Sequence, residues 1–493
     1  MFFVIIYGSA NQLMVKFLTI FLAAGGACAS CAAATATNAP PVLASPSRGV
    51  DFDVGVKERL RQEYTHDVPA NPGGGANVAK RTARAKDTHL LRLDNNLWGR
   101  AALGPYTFYA RLANQMREHF LTHGVARKNR AYTEPDEFFL DNLYLDGQGL
   151  GDGAFDFRVG RQDLNEENKS IFGLGRLVYD GTPVDYSRSH FADMARVAWH
   201  PDADSTLDLF ALYDSDANYF SWGRQRVHGR TLNGLVGGED PGPDQWGGGL
   251  VWRSVMGAKE LPYNSYVLHK RDTAHRRGAA RVPEKDVTTI GTLFMPELTD
   301  AVSLELDGAG QVGERRKCGQ AGGWMGVVGV DYHPQIVRDV RTYVKLSTIY
   351  YSGDRDKTDG HNDTAWDPMW GRYVSDSENF ARGTHAQIAY WSNMIFSRVT
   401  LGAKFGPHHD VWFFSGPIWA AADDNVGGGG GEFKGILTKA RYNYPILLRP
   451  KKARGIKRFE LFGAFVAECF NPGDYYESTR PALYVRWELQ FRF

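Results

Sequence analysis

The chain closes on a stretch in which apolar and polar side chains alternate strictly, ALYVRWELQFRF at 482–493. Its large apolar side chains fall on one face, and Arg486, Glu488 and Arg492 fall on the other. A period of two residues predicts a β-strand whose two faces meet different surroundings. The apolar face can pack onto a soluble core, or it can meet lipid while the polar face lines a wet lumen.

The same alternation recurs along the chain and helical periodicity is nearly absent, which predicts an all-β protein. Two long examples are VDFDVGVKERLRQEYTHD at 50–67 and KRFELFGAFVAEC at 457–469. The polar face of the first, with Asp53, Arg59 and Arg61, is more heavily charged than a strand over a soluble core needs. This charge favours the wet lumen over the soluble sandwich.

The lengths of the connections between predicted strands point the same way. Short turns such as WHPDADS (199–205) and PELTD (296–300) alternate with long loops such as 223–245 and 352–379. Long structureless loops are uncommon in compact soluble domains, but outer-membrane barrels carry them on the extracellular side and keep short turns on the periplasmic side. About nineteen candidate strands can be counted, and such a barrel needs an even number. The segment THAQIAYWS (384–392) breaks this parity and is assigned to the long loop after Asp354, which leaves about 18 strands.

The sequence therefore predicts a single transmembrane antiparallel β-barrel over residues 49–493, with short periplasmic turns and long extracellular loops. Composition agrees with this fold. A formal net charge of +1 lacks the basic excess of a general nucleic-acid binder. The mean hydropathy is −0.38 with no long apolar run, as expected when half of each spanning strand is polar.

Residues 1–34 are predicted to be an export signal. Lys16 precedes an apolar run from Phe17, and small residues follow with candidate cleavage sites after Ala29 and Ala34. The segment before Met14 carries no charge, so Met14 is the expected start. A lipoprotein signal ending at Cys28 or Cys31 is the alternative.

Residues 35–48, rich in Ala, Pro, Ser and Thr, are predicted to be a flexible leader. After cleavage Cys318 and Cys469 remain, which excludes a disulfide framework and leaves a single bridge open.

Residues 155–197 carry a resemblance to a known family. The matching motifs are GRQ at Gly160–Gln162, GLGRLV at Gly173–Val178 and SRSHFADMARV at Ser187–Val197, with SGD at 352–354 and SNM at 392–394 as later landmarks. In these motifs the chain resembles the alginate exporter family of outer-membrane barrels. The resemblance implies an 18-stranded barrel with an arginine-rich, electropositive constriction that passes an anionic polyuronate. The chain departs from the family pattern at an inserted His190, which displaces Asp193.

Arginine suits such a pathway because its guanidinium is permanently charged and its fork geometry matches a carboxylate. The ordinary alternative is that lumenal charges pair across strands and stabilise the wall. Alternation assigns a set of strand residues to the lumen, and the family motifs add a second set on a loop that folds inward as the constriction. The predicted pathway comprises Arg59, Arg61, Arg92, Arg111, Arg158, Arg341, Lys345, Arg398, Lys439, Arg441, Glu460, Arg486 and Glu488 on strands, with Arg161, Arg176, Arg188 and Asp193 at the loop.

Metal and catalytic signals are weak. Asp354, Asp356, Asp359 and Asp363 crowd one loop, but their spacing does not match an EF-hand, so calcium is a weak candidate beside a solvated acidic loop. The chain has no Gly-x-Ser-x-Gly elbow and no His-Glu-x-x-His motif. We therefore expect neither an enzyme nor a resident cofactor.

The expected function is that of a channel in the outer membrane of a Gram-negative bacterium, passing an acidic polysaccharide such as alginate passively through an anion-selective lumen. Two alternatives remain open. One is a porin for small anionic solutes or oligosaccharides, and the other is a plugged barrel that serves as a surface scaffold or adhesin. The expected partners are the transported anion, outer-membrane lipid and lipopolysaccharide, and the barrel assembly machinery, which would bind the last strand ending in Phe493.

Overall fold

The computed structural model describes residues 49–67, 88–122, 132–162, 165–166, 169–170, 192–214, 221–222, 226–227, 230–231, 244–256, 261–277, 280–316, 319–354, 362–371, 376–377, 391–406, 408–424, 428–448, 459–477 and 480–492. The predicted signal and leader, most of the segment 384–392, Cys318 and Phe493 lie outside these residues. Cys469 is a free thiol.

Eighteen long antiparallel strands form the molecule, as the sequence predicts. They are β1 (Asp51–His66), β2 (Thr88–Leu103), β3 (Tyr106–Thr122), β4 (Tyr132–Leu150), β5 (Phe155–Gln162), β6 (Ala192–Asp202), β7 (Ser205–Asp214), β8 (Gln245–Met256), β9 (Leu261–Asp272), β10 (Lys285–Phe294), β11 (Val302–Arg315), β12 (Gly319–Tyr332), β13 (Val340–Tyr351), β14 (Met394–Phe405), β15 (His409–Trp419), β16 (Phe433–Leu448), β17 (Glu460–Pro472) and β18 (Ala482–Arg492).

The sheet closes on itself because β1 pairs with β18 as well as with β2. Arg61, for example, stands opposite Glu488 on one side and Arg92 on the other. Ser221–Trp222 adds to the edge of β4, and Glu297–Thr299 adds to β11. The remaining short strands pair in hairpins: Asn165–Glu166 with Lys169–Ser170, Arg226–Val227 with Arg230–Thr231, and His275–Arg277 with Ala280–Val282.

Most connections at one end of the barrel are long, and most at the other end are short. Segments 68–87, 163–191, 215–244 and 352–393 join strands at one end, and 104–105, 151–154 and 203–204 join them at the other. Gly104 and Gly151 adopt φ values of 57° and 60° in the tight turns, a conformation that glycine tolerates best. Because long loops mark the extracellular side, the short turns lie on the periplasmic side.

The outer surface of the barrel is apolar and exposed. Phe52, Leu209 and Trp324 are 67%, 56% and 68% exposed, and each alternates along its strand with side chains that point inward. On β18 the apolar Trp487 is exposed while Arg486 and Glu488 are buried. A soluble sandwich would bury the apolar face, so this arrangement is that of a barrel whose outside meets lipid.

The interior is not polar throughout. Towards the long-loop end of β6–β15, inward positions such as Phe210, Leu268 and Ile349 are apolar and form one packed cluster with Trp366 and Trp370. Alternation alone predicts a uniformly wet lumen, and this cluster corrects that expectation. The inward positions are apolar here because part of the long loop 352–393 packs against them.

Candidate solute pathway

The described parts of segment 352–393, called the lumenal loop from here on, lie inside the barrel. The indole of Trp370 fits into a gap at Gly247 on β8, where an added Cβ would come within 2.3 Å of Trp370 Cζ2. The same ring stands edge-on to Phe210 with centroids 6.0 Å apart. A glycine is therefore required at 247 for the loop to reach this depth.

Asp367 fixes this part of the loop through its side chain and its backbone. Its Oδ1 lies 2.5 Å from Nζ of Lys270 on β9, and its Oδ2 lies 3.3 Å from Nζ of Lys285 on β10. The side chain of Gln311 on β11 bonds the backbone of Asp367 twice, donating to its carbonyl oxygen and accepting from its amide, both at 2.8 Å. Gln311 thereby supplies, from its side chain, the two backbone hydrogen bonds that a neighbouring strand would otherwise give Asp367.

The charges around Asp367 keep it ionised. Burial acts to raise the pKa of Asp367, but the ammonium groups of Lys270 and Lys285 outweigh it and hold the pKa below its usual value. The neighbouring Asp363 accepts a hydrogen bond of 3.0 Å from Lys285. Asp363 thus belongs to an ion-pair network. Asp356 and Asp359, its proposed calcium partners, lie outside the described residues, among which no cluster of His, Cys, Asp or Glu is suited to a metal.

A second contact joins the lumenal loop to a different part of the wall. Arg398 on β14 donates from Nη1 to Oδ1 of Asp376. The hydroxyl of Ser377 donates to Oε1 of Glu468 on β17 at 2.7 Å. The loop is therefore bound to β9–β11 through residues 363–369 and to β14 and β17 through residues 376–377.

A row of arginines lines the wall formed by β5–β8. Arg158 donates to Asp146 at 3.1 Å, while Arg196 and Arg253 both donate to the buried Asp208, at 2.8 and 2.9 Å. Arg158 and Arg196 stand directly opposite each other in the register of β5 and β6. Their side chains are 15% and 19% exposed, and that of Arg253 is 31% exposed. Three guanidinium groups are thus held by carboxylates of the wall and remain partly exposed to the interior.

Of this row, sequence reasoning named Arg158 and missed Arg196 and Arg253. Alternation carried a usable signal for Arg196, which lies on β6 between the outward Ala195 and Val197. The role of Asp208, which joins β6 to β8 through both arginines, could not be predicted from alternation, because it depends on the register of three strands.

A second group of predicted arginines is buried in the wall. Arg59 donates to Asp94 at 2.8 Å, and Arg61 pairs with Glu488 across the closing seam. Arg92 lies 3.1 Å from Asp94, and Arg486 lies 3.6 Å from Glu488. All six side chains are buried. Arg59–Asp94 and Arg61–Glu488 join neighbouring strands, which is the ordinary stabilising role of charges in the wall. Removing one partner would leave the other charge buried and destabilise the barrel.

The remaining predicted strand residues have diverse surroundings. Arg111 donates to Asp141 at 2.8 Å, Lys345 to Glu305 at 2.5 Å, and Arg441 to Asn443 at 2.8 Å. Lys439 and Glu460 are buried, and Arg341 is exposed at the start of β13. Lys439 lies over the ring of Trp412, with Nζ 6.0 Å from the centroid.

Arg161 lies at the end of a strand, as predicted. It is the penultimate residue of β5, and it forms two hydrogen bonds with Asp193 on β6, at 2.9 and 3.0 Å. Since Arg158 and Arg161 are three positions apart on one strand, their side chains leave it on opposite faces. Arg161 and Asp193 therefore stand on the face opposite the arginine row. Arg176 and Arg188 lie outside the described residues.

Among the described residues, no helix is long and apolar enough to cross a membrane. No protein-family model matches the chain, and no curated protein matches it in sequence. Membership of the alginate exporter family is therefore not shown.

Solved structures of similar shape are outer-membrane porins. The chain is similar to OccK1 (OpdK) of Pseudomonas aeruginosa, with 10% identity over 90% of this chain and 98% of that one, at a TM-score of 0.49. A BenF-like porin from Pseudomonas fluorescens Pf-5 gives the same four values. OccK2 (OpdF) of Pseudomonas aeruginosa in complex with glucuronate is 9% identical over 90% and 98%, at a TM-score of 0.45. These likenesses do not establish what passes through this barrel.

The chain's own closed wall, apolar exterior and charged interior decide its location. It is an outer-membrane β-barrel.

Proposed function

We propose that this barrel is a porin through which small anionic solutes diffuse passively. The observation that carries the proposal is the row formed by Arg158, Arg196 and Arg253, whose partly exposed guanidinium groups face the interior. A wall of this kind lowers the electrostatic barrier to an anion.

The way these arginines are held suits transit rather than tight binding. Asp208 pairs with both Arg196 and Arg253, which fixes the positions of the two guanidinium groups while their side chains stay partly exposed to the interior. The guanidinium of Arg158 also lies 4.4 Å from the ring centroid of Tyr144, which limits its rotation. A pore needs sites that attract an ion and also release it.

The lumenal loop supports small solutes over polymers. It is bound to β9–β11 through Asp367 and to β14 and β17 through residues 376–377, so it occupies part of the cross-section. A loop bound inside the barrel narrows the lumen, which disfavours the long acidic polysaccharide that the resemblance to the alginate exporters implies. We therefore place polysaccharide export second.

The test is the reversal potential of the purified barrel in a planar bilayer under a salt gradient, before and after adding polymannuronate. Anion preference that the polymer leaves unchanged supports the small-solute porin. Anion preference with block by long chains supports polysaccharide passage, and a cation-selective pore contradicts both. A silent bilayer with a correctly folded barrel supports the surface scaffold.

A further inference from the structure

The outer face of the barrel changes from apolar to charged at the extracellular end of β9. Its last outward side chains are Val267, His269 and Arg271 in turn, and all three are exposed. The register places Arg271 opposite Trp246 on β8, and the ring of Trp246 lies 4.3 Å from that of Tyr213 on β7, measured between centroids. Aromatic side chains on the outside of a barrel mark the boundary between hydrocarbon and headgroups. Arg271 therefore stands at the height of the lipid headgroups.

Two arginines and one glutamate form a cluster at this height. Arg271, near the end of β9, pairs with Oε1 of Glu284, which lies directly before β10. Nη1 of Arg316, directly after β11, lies 2.9 Å from Oε2 of the same carboxylate, and the amide of Arg316 donates to the carbonyl oxygen of Glu284 at 2.9 Å. The side chain of Glu284 is 11% exposed, whereas those of Arg271 and Arg316 are 52% and 69% exposed. One sheltered carboxylate thus holds two exposed guanidinium groups together on the outer surface.

The charge of this end of the barrel favours an anionic partner. Two other carboxylates lie near the cluster, since Asp286 is 3.9 Å from Nε of Arg271 and Glu314 stands opposite Asp286 in the register. The hairpin that continues β9 and β10, HRRGAARV at 275–282, has three further arginines and no acidic residue. Over 271–286 and 314–317 together, the chain has twice as many Arg and Lys residues as Asp and Glu residues. A basic excess of this kind attracts anions.

From this placement we propose that Arg271 and Arg316 bind a phosphate group of lipopolysaccharide, and that Glu284 holds the two guanidinium groups in position for this contact. Lipopolysaccharide forms the outer leaflet of a Gram-negative outer membrane, and its lipid A carries phosphate groups at headgroup height. A guanidinium offers several donors in a planar fork that matches phosphate oxygens. The site lies on the outer wall, so it is separate from the solute pathway.

The experiment titrates the full barrel in detergent micelles with diphosphoryl lipid A and measures the Kd by native mass spectrometry. EDTA in the buffer prevents a divalent cation from joining the lipid to Asp286 or Glu314. The double variant Arg271→Gln with Arg316→Gln keeps the length of both side chains but removes their charges. We expect its Kd to rise by about tenfold or more, because two basic side chains near a membrane surface contribute jointly to the binding of an anionic lipid.

A control variant and a control lipid make the test specific. Arg338→Gln removes an exposed arginine from the periplasmic connection between β12 and β13 and should leave the Kd within about twofold of wild type. Phosphatidylglycerol should bind the wild type about tenfold more weakly than lipid A, since its single phosphate diester carries less charge. A double variant that folds and keeps the wild-type Kd for lipid A would overturn the inference. Equal affinity of the wild type for both lipids would also overturn it, because the surface would then accept any anionic headgroup.

Folding and channel activity are measured on the same variants. The folded band on a semi-native gel shows that the double variant is intact, and the single variant Arg316→Gln, at the more exposed arginine, replaces it if that band is lost. In a planar bilayer of phospholipid without lipopolysaccharide, these variants should keep the wild-type conductance, because both arginines lie outside the lumen. Failure of the lipid A experiment therefore leaves the porin proposal standing.

Discussion

Lys270 on β9 and Asp367 of the lumenal loop form an ion pair inside the barrel, with Nζ 2.5 Å from Oδ1, although they are 97 positions apart in the chain. Asp367→Asn removes the charge that holds Lys270 and Lys285. Breaking one partner of a buried pair costs roughly 3–5 kcal/mol, so we expect lower resistance to urea and a larger single-channel conductance. Asp204→Asn, in an exposed periplasmic turn, is the matched control and should change neither. Unchanged conductance in a folded Asp367→Asn barrel would show that the pair does not hold the loop in the pore.

The same pair predicts a pH dependence of the open pore. The two lysines lower the pKa of Asp367 below its usual value of 3.8, so the carboxylate stabilises the folded loop fully above pH 3.8. That stabilisation is lost as the pH falls through the lowered pKa, because protonation removes the charge facing Lys270 and Lys285. We expect the wild-type conductance to be constant from neutral pH to about 4 and to rise below it. Asp367→Asn should already show the higher conductance at neutral pH.

Gly247 gives a steric test of the loop position. An added methyl group would meet Trp370 and the carbonyl oxygen of His269, both at 2.3 Å, so Gly247→Ala should displace the indole. Overpacking of this kind costs about 1–3 kcal/mol. Gly308→Ala on β11 is the control, since nothing lies within 4 Å of its added Cβ. The measurement is the temperature at which the folded band on a semi-native gel is lost, and equal midpoints for the two variants would contradict the packing of Trp370 at Gly247.

The arginine row predicts the selectivity of the pore. Arg196→Gln with Arg253→Gln removes two positive charges beside the buried Asp208, which should cut the anion-to-cation permeability ratio by about fivefold or invert it. The control Arg316→Gln, at an exposed arginine between β11 and β12, should leave the ratio close to wild type. A double variant that folds and keeps the wild-type ratio would exclude this row from the pathway.

The apolar exterior predicts a cost for charge at the middle of a strand. Leu209 stands at the centre of β7 and faces outward. Leu209→Arg should therefore destabilise the folded barrel in lipid vesicles by about 2–4 kcal/mol. Ile336→Arg provides the comparison, because this exposed side chain lies in the connection between β12 and β13. The two variants should differ clearly in urea titration, and a neutral Leu209→Arg would contradict a lipid-facing β7.

The sequence by itself determined the barrel. Each spanning strand has lipid on one side and the interior on the other, so its own sequence shows a two-residue period. On β18, for example, the exposed Trp487 stands between the buried Arg486 and Glu488. Loop lengths and the parity of the strand count then decided between a barrel and a sandwich, because a closed sheet with both ends on one side needs an even number of strands. Arg158 was also predictable as an inward side chain, since alternation alone assigns it.

The tertiary structure decided which segment enters the barrel and which charges meet there. Lys270 follows the apolar Tyr266 and Leu268 on the inward face, while the outward face carries the polar His269 and Arg271, so alternation alone does not assign Lys270 to the lumen. In the sequence Trp370 and Asp367 look like ordinary loop residues. Only the folded chain places them beside Gly247, Gln311 and the two lysines. These contacts join residues far apart in the chain. A periodic pattern records the environment of each face, but it does not record which distant segment creates that environment.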